Sequence, residues 1–344
     1  MTGTSANVIC KILGFNMTTH QGKWYSVGLG NVPGDLSVTP SATSDIFMSN
    51  LQCTGTETDI DSCPHSKVNS CTSSENVIVS CEERPPSPCG VNKYDNSPAA
   101  AGRVVGGENA DINMYPWIVQ LITVSKWGSV YFSCGGSLIG DQWVLTAAHC
   151  ISRRTNYRVR VGDHTLTTGD GEIEIEVAEA IVHPQYKSRS NIYDFALLRL
   201  ASPVTYSDAV QPICLPSACT TDCSPGSPAE IAGWGDTTEG GSLPNILQTA
   251  TVSIATPSVC AGQYGSEYYD YIMICAGVTG GGIDTCQGDS GGPFMTLIDN
   301  VYKLCGATSW GYGCARPNYY GVYSKVCNSD VLQWIETTSG ITPP

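Results

Sequence analysis

From residue 117 the chain reads WIVQLITV (117–124), and runs of the same kind recur almost to its end: RVRVG (158–162), EIEIEVAEAIV (172–182), FALLRL (195–200), AEIAGWG (229–235) and YKLCGATSW (302–310). Each is short, rich in Val, Ile, Leu, Tyr or Trp, and closed off by Gly, Pro or Asp. That is the pattern of strands joined by tight connections in an antiparallel β sandwich or barrel. SDVLQWIETT, from Ser329, differs: it opens on Ser and Asp and spaces its apolar residues for one terminal helix. Upstream, EERPPSPCGVNKYDNSPAAAGR (82–103) has no apolar period and is rich in Pro, Ala, Asn and Ser, so it reads as a linker. The chain then divides into 1–83, a linker over 84–103, and 104–344.

The 344 residues allow two or three domains at about 150 residues each. Charged residues are 14% and hydrophobic ones 41%, too apolar a balance for a disordered chain. With 17 basic against 31 acidic residues the net charge is −14, the wrong sign for neutralising phosphates, which excludes nucleic-acid binding and suits cationic substrates. Seventeen cysteines spread along the chain point to disulfides in an oxidising compartment, and the odd number leaves one without a partner in this chain. No stretch of about 18 apolar residues could span a membrane, and residues 1–30 lack the basic start and apolar run of a signal peptide. The expectation is an extracellular protein whose export signal or membrane anchor lies upstream.

The first 83 residues carry Cys10, Cys53, Cys63, Cys71 and Cys81, within VICKILGF (8–15), FMSNLQCTGTETDIDSCPHS (47–66) and VIVSC (77–81). These strings resemble the later part of a scavenger receptor cysteine-rich domain, a small disulfide-rich α+β fold. The resemblance implies Cys10–Cys81 and Cys53–Cys63 bridges and a partner for Cys71 upstream of residue 1. Asn16-Met17-Thr18 is the single glycosylation sequon.

Three strings beyond the linker carry chemistry: LTAAHC ending at Cys150, YDFALL around Asp194, and DTCQGDSGGP over 284–293. A serine hydroxyl is a poor nucleophile at neutral pH, so Ser290 needs a base, His149, and the base needs an orienting carboxylate, Asp194. Taken singly, such residues are commonly turns, caps or buried structure. Their co-occurrence in this order, with GWG at 233–235 and SWG at 309–311, resembles the chymotrypsin-like serine peptidases from Val104 onward. The resemblance implies two six-stranded antiparallel β-barrels with a C-terminal helix, an active site between the barrels, and an oxyanion hole from the Gly288 and Ser290 N–H groups. Asp284, six residues before the nucleophile, becomes the base of a pocket walled by Gly311 and Gly321, giving trypsin-like preference for Arg or Lys before the scissile bond. Ser309 is expected near Asp194, with Ser309, Trp310 and Gly311 pairing an extended substrate. Protein substrates and protein protease inhibitors are the implied partners.

The resemblance also implies Cys134–Cys150, Cys260–Cys275, Cys286–Cys314, Cys219–Cys327 and Cys89–Cys214. One family bridge lacks both ends, where Ala229 and Thr296 stand, so Cys223 and Cys305 remain and are suggested to pair with each other. RVVGG (103–107) resembles an activation site: a trypsin-like protease cutting after Arg103 would free the Val104 amine to insert beside Asp289. VGDHTLTTGDGEIE (161–174) matches the family's calcium loop, one residue shorter, with Asp163, Asp170 and Glu172 as ligands. No cofactor is required. Tyr320 stands where Tyr accompanies a sodium site in the family. The combination resembles the hepsin and transmembrane serine protease group. A non-catalytic binding protein on a degenerate peptidase scaffold is the rival reading, and all three triad residues being present stands against it.

Overall fold

The computed structural model describes the backbone of residues 20–27, 48–49, 66–67 and 76–83, and with side chains 89–92, 107–125, 127–152, 155–167, 169, 171–237 and 240–343. The chain forms two units, Met1–Pro86 and Ser87–Pro344. In the first, β1 (His20–Val27) runs antiparallel to β4 (Asn76–Glu83), and β2 (Met48–Ser49) pairs with β3 (Ser66–Lys67). The expected Cys10–Cys81 and Cys53–Cys63 bridges, Cys71, the sequon and the helical part of this fold lie outside the described residues.

The second unit begins with a short β5 (Glu108–Asn109). Six strands then follow, the first and the last three of them on apolar runs quoted above: β6 (Ile118–Val124), β7 (Val130–Gly140), β8 (Trp143–Thr146), β9 (Asn156–Val161), β10 (Ile173–Val182) and β11 (Ala196–Leu200). They close as a barrel in the order β10-β11-β8-β7-β6-β9, which removes the free edges an open sheet would leave. A second set follows: β12 (Pro228–Gly233), β13 (Gln248–Ile254), β14 (Met273–Gly277), β15 (Pro293–Ile298), β16 (Val301–Trp310) and β17 (Gly321–Lys325). It runs β12-β15-β16-β17-β14-β13 and closes through β12–β13, with β5 added outside β13. The fold is therefore two six-stranded antiparallel barrels.

Trp117, at the entrance to the first barrel, is fully buried and meets Met295 and Tyr302 of the second: its indole N–H is 3.3 Å from the Met295 sulfur and its ring is 5.1 Å from Tyr302. Tyr115 donates to Glu230 (2.6 Å), which also accepts from Tyr302 (3.1 Å), so a half-buried carboxylate cross-links the same seam. The terminal helix α3 is preceded by two short ones, α1 (Cys219–Asp222) and α2 (Pro257–Tyr264). It spans Ser329–Ser339 and buries Val331, Leu332 and Ile335, each contributing about 1.5–3 kcal/mol. Its cap is Asn328, one residue before the Ser and Asp that announce the helix; the Asn328 side chain accepts the N–H groups of Asp330 and Val331.

Six disulfides join described residues: Cys89–Cys214, Cys134–Cys150, Cys219–Cys327, Cys223–Cys305, Cys260–Cys275 and Cys286–Cys314. Cys223–Cys305 lies in the core of the second barrel with Ala229, and Thr296 reaches the Cys305 sulfur at 3.3 Å, so the unusual bridge fills space beside the two residues that replace cysteines. At the linker, Gly90 donates to the Pro212 carbonyl and accepts from the Tyr302 N–H, docking residues 89–92 on the barrels of the second unit beside the Cys89–Cys214 bridge.

Candidate active site

His149 and Asp194 meet because their strands are neighbours. Ala196 of β11 pairs with Thr146 of β8; Asp194 lies two residues before the one and His149 three after the other. His149 sits in a single 3₁₀ turn, Ala148–Cys150, held to β7 by Cys134–Cys150. Asp194 is fully buried and accepts three hydrogen bonds: from the His149 N–H (2.9 Å), the His149 Nδ1–H (2.7 Å) and the Ser309 hydroxyl (2.6 Å). A carboxylate accepts only, so Nδ1 carries the proton and Nε2 is left with its lone pair, the tautomer a general base requires.

Asp194 is aimed by Tyr193, its neighbour in YDFALL, and by residues outside every motif. Tyr193 has φ 52°, an uncommon conformation for a bulky side chain. It is held there by stacking on His183 (4.6 Å, 4° between planes) and by its hydroxyl, which donates to Asp330 of α3 (3.2 Å). His183 packs edge-on against Trp334, and burial lowers its pKa to about 4, so it stays a neutral ring at working pH.

Ser290 arrives from the other barrel. Its carbonyl accepts the Gly135 N–H (2.8 Å), one residue from Cys134, while Gly291 (φ 77°) is pressed so closely on Thr146 and Ala147 that a β-carbon there would collide. The serine loop is thus seated on the strand that leads to His149. Gly288 has φ 103°, a conformation reserved for glycine. Among the described residues no hydrogen bond is made to the N–H of Gly288 or of Ser290, so both donors remain for an oxyanion.

Asp289 between them points inward. It is 1% exposed and accepts the Gly235 N–H (2.8 Å) and the Cys286 N–H (2.9 Å); burial raises its pKa to about 6. Gly233 and Gly235 leave room for it, since a β-carbon at either would strike the carboxylate. Arg103 and Val104 lie outside the described residues.

Asp284 is 4% exposed and accepts from the Thr285 N–H (2.8 Å) and the Ala315 N–H (3.1 Å). Burial pushes its pKa up to about 7 despite those donors. A β-carbon on Gly321 would collide with the Asp284 carboxylate, and one on Gly311 would come within 3.9 Å of the Gly321 Cα. Only glycine at 321 therefore leaves room for the buried carboxyl, whereas a β-carbon at 311 would make ordinary contacts. Cys286–Cys314 ties the two sides, and the wall is braced from behind by the Tyr264 hydroxyl on the Tyr320 carbonyl and by Gln263 Oε1, which accepts the Tyr320 N–H (3.2 Å). Neither Tyr264 nor Gln263 sits in any motif, and no sequence signal singles them out.

Among the expected calcium ligands, Asp163 is buried, Glu172 accepts the Gly169 N–H (3.0 and 3.1 Å), and Asp170 lies outside the described residues. Cys134, His149 and Cys150 cluster like metal ligands, but both sulfurs are in a disulfide and Nδ1 serves Asp194. No helix among the described residues is long and apolar enough to cross a membrane.

A family model described as Trypsin matches residues 104–335, and one described as Scavenger receptor cysteine-rich domain matches residues 1–82. The chain is 42% identical over 238 residues to the trypsin of Xenopus laevis, covering 69% of this chain and 90% of that one. Against the anionic trypsin of Canis lupus familiaris it is 41% identical over 238 residues, covering 69% and 89%. A third relative, serine proteinase stubble of Drosophila melanogaster, is 38% identical over 244 residues, 68% of this chain but 30% of the larger relative. With a buried Asp194 orienting His149, a serine loop docked from the second barrel, and two-thirds of its length matched, the chain belongs to the trypsin family of serine peptidases and is a serine endopeptidase.

Proposed function

We propose that this chain is the zymogen of an endopeptidase that hydrolyses peptide bonds after Arg or Lys and is activated by a trypsin-like cut after Arg103. The observation that carries the specificity is Asp284, a carboxylate 4% exposed against Gly321. A guanidinium entering that slot meets an acceptor already shielded from water, where a charged pair is strongest.

Ser290 Oγ attacks the carbonyl carbon after the Arg or Lys while His149 Nε2 takes its proton. Asp194 stabilises the imidazolium, and the carbonyl oxygen, now an anion, takes the Gly288 and Ser290 N–H donors. The proton on His149 passes to the departing amine as the C–N bond breaks, leaving an acyl-serine. Water then repeats the sequence, with His149 as its base, and releases the acid.

The uncut chain has no amine to pair with the buried Asp289. Once freed, the Val104 ammonium supplies that partner, pulls the carboxyl down from its raised value, and stabilises the Gly288 conformation that presents the oxyanion donors. The sign follows from linkage. An amine paired with Asp289 has a pKa above its free value of about 8, so its stabilisation is complete below about pH 8 and is lost as pH rises through the raised value. Cys89–Cys214 would keep the N-terminal part attached after the cut. An extracellular setting, protein substrates and protein protease inhibitors accompany this reading.

The test is hydrolysis of matched peptides ending in Arg, Lys, Phe or Ala by the chain cut after Arg103. Arg and Lys are expected to dominate, and comparable rates on Phe or Ala would overturn the specificity.

A further inference from the structure

Asp194, the carboxylate that orients His149, stands at the apex of a three-residue turn, closed where the Phe195 N–H donates to the Tyr193 carbonyl (2.8 Å). Both ends of that turn rest on one residue, His183, the first beyond β10. Its ring stacks on the Tyr193 ring, and its N–H donates to the Phe195 carbonyl (2.9 Å). Tyr193 has φ 52°, a region that a bulky side chain leaves unless its surroundings hold it there. Whatever holds the Tyr193 ring therefore also fixes the peptide that carries Asp194.

The other half of this clamp belongs to the terminal helix. The Tyr193 hydroxyl donates to Asp330 (3.2 Å), and the Trp334 ring packs edge-on against His183 with centroids 4.7 Å apart and 65° between planes. Positions 330 and 334 are one turn apart and share a face of α3, so the helix meets the Tyr193–His183 stack with a matched pair of contacts. The helix is itself a fixed support. Val331, Leu332 and Ile335 are buried, and Asn328, while capping the first turn, donates through Nδ2 to the Tyr271 carbonyl (2.7 Å). Asp330 is exposed, lies 137 residues along the chain from Tyr193, and takes no part in the reaction described above.

We propose that the terminal helix is a positioning element of the catalytic triad: Asp330 and Trp334 hold the His183–Tyr193 stack, the stack fixes the turn at Asp194, and Asp194 in turn keeps His149 aimed at Ser290. Turnover then depends on how α3 is docked. None of these residues belongs to the Asp284 slot, so substrate affinity does not. The proposal rests on the reading of Ser290, His149 and Asp194 as nucleophile, base and orienter.

The test uses the full chain cut after Arg103, with active sites titrated and an Arg anilide as substrate. Asp330→Ala, a surface change that spares the core, is expected to lower kcat about fivefold, with KM and the inhibition constant of an amidinium within twofold of wild type. Asp330→Asn, whose amide oxygen still accepts the Tyr193 hydroxyl, should recover at least half of the wild-type kcat. Tyr193→Phe is expected to match Asp330→Ala, and the double variant to lose no more than either single, because both remove one contact. Tyr193→Gly accepts the left-handed backbone without strain but loses the ring, and kcat should fall about 100-fold. If that variant does not fold, the Asp330 series decides alone.

A wild-type kcat in Asp330→Ala and Tyr193→Phe, with only a lowered urea midpoint, would make the contact a plain stabiliser and overturn the proposal. So would losses that multiply in the double variant, or an inhibition constant that moves together with kcat. Failure of the wild type on the anilide would tell against the triad and slot readings themselves, whereas normal wild-type turnover with indifferent Asp330 variants overturns the role of the helix alone.

Discussion

Replacing Asp284 with Asn separates the charge in the slot from its shape. The side chain keeps its size, but the Thr285 and Ala315 N–H groups bond different carboxylate oxygens, at 2.8 and 3.1 Å, so one of them faces the amide NH2 and loses its acceptor, at about 1–3 kcal/mol. A guanidinium would then enter a buried site without its counter-charge. Leaving one partner of a buried pair alone costs about 3–5 kcal/mol, or roughly 10² to 10⁴ in kcat/KM on an Arg peptide, with a Phe peptide little changed. Stability should move the other way. Holding this carboxyl at about 7 instead of 3.8 corresponds to roughly 4 kcal/mol of unfavourable burial that builds up between pH 4 and pH 7, because over that range the unfolded chain is ionised and the folded one is not. The amide carries no charge, so above pH 7 the Asp284→Asn variant is expected to be at least as stable as the wild type.

The same pKa of about 7 sets a pH signature in the wild type. A cation binds the ionised form, so an amidinium competitive inhibitor is expected to tighten about 100-fold from pH 5 to pH 8, tenfold per unit at first and levelling above pH 7. In Asp284→Asn the dependence should vanish. The assays are steady-state hydrolysis with active-site-titrated enzyme, inhibition constants across pH, and urea unfolding at pH 8. An Arg rate within tenfold of wild type, or an inhibition constant flat from pH 5 to pH 8 in the wild type, would refute the reasoning.

Gly235→Ala places a β-carbon against the Asp289 carboxylate and is expected to lower kcat about 100-fold by disordering the oxyanion donors, with circular dichroism unchanged; a wild-type kcat would remove Asp289 from that role. An Arg103→Gln chain exposed to trypsin is expected to remain nearly inactive, whereas the wild type gains activity with a new N-terminus at Val104, and reduction is needed to separate the two pieces on a gel. Equal activity of the two chains would sink activation by that cut. Replacing Cys223 and Cys305 with Ala opens a link between residues 82 apart and is expected to lower unfolding free energy by up to roughly 4 kcal/mol, read from the urea midpoint; an unmoved midpoint would count against the bridge as a stabiliser. Chelation with EDTA is expected to lower the melting temperature through loss of calcium at the 161–174 loop, and equal temperatures with and without EDTA would remove calcium from that loop.

Much of the site is legible in the linear chain because its parts are locally constrained. AHC and GDSGG are contiguous: the 3₁₀ turn that carries His149 and the left-handed Gly288 beside Ser290 are set by neighbours within a few residues, and such geometry leaves a mark in sequence. The barrels are legible for the same reason, since each apolar run closed by turn residues is one strand, and so is the terminal helix, apart from its cap at Asn328.

What the tertiary structure alone decides is what depends on residues far apart in the chain. Ser309 of β16 and His149 of the 3₁₀ turn converge on Asp194 from different barrels, and Tyr193 tolerates φ 52° only because His183 and Asp330 hold its ring and hydroxyl. Asp284 is read in the sequence as a pocket carboxylate only through the resemblance, and its raised pKa comes from burial among segments distant in the chain, around residues 315 and 321. Sequence records hydrogen bonds and conformations that neighbours along the chain impose on one another; desolvation and converging side chains arise only when closed barrels bring distant strands together.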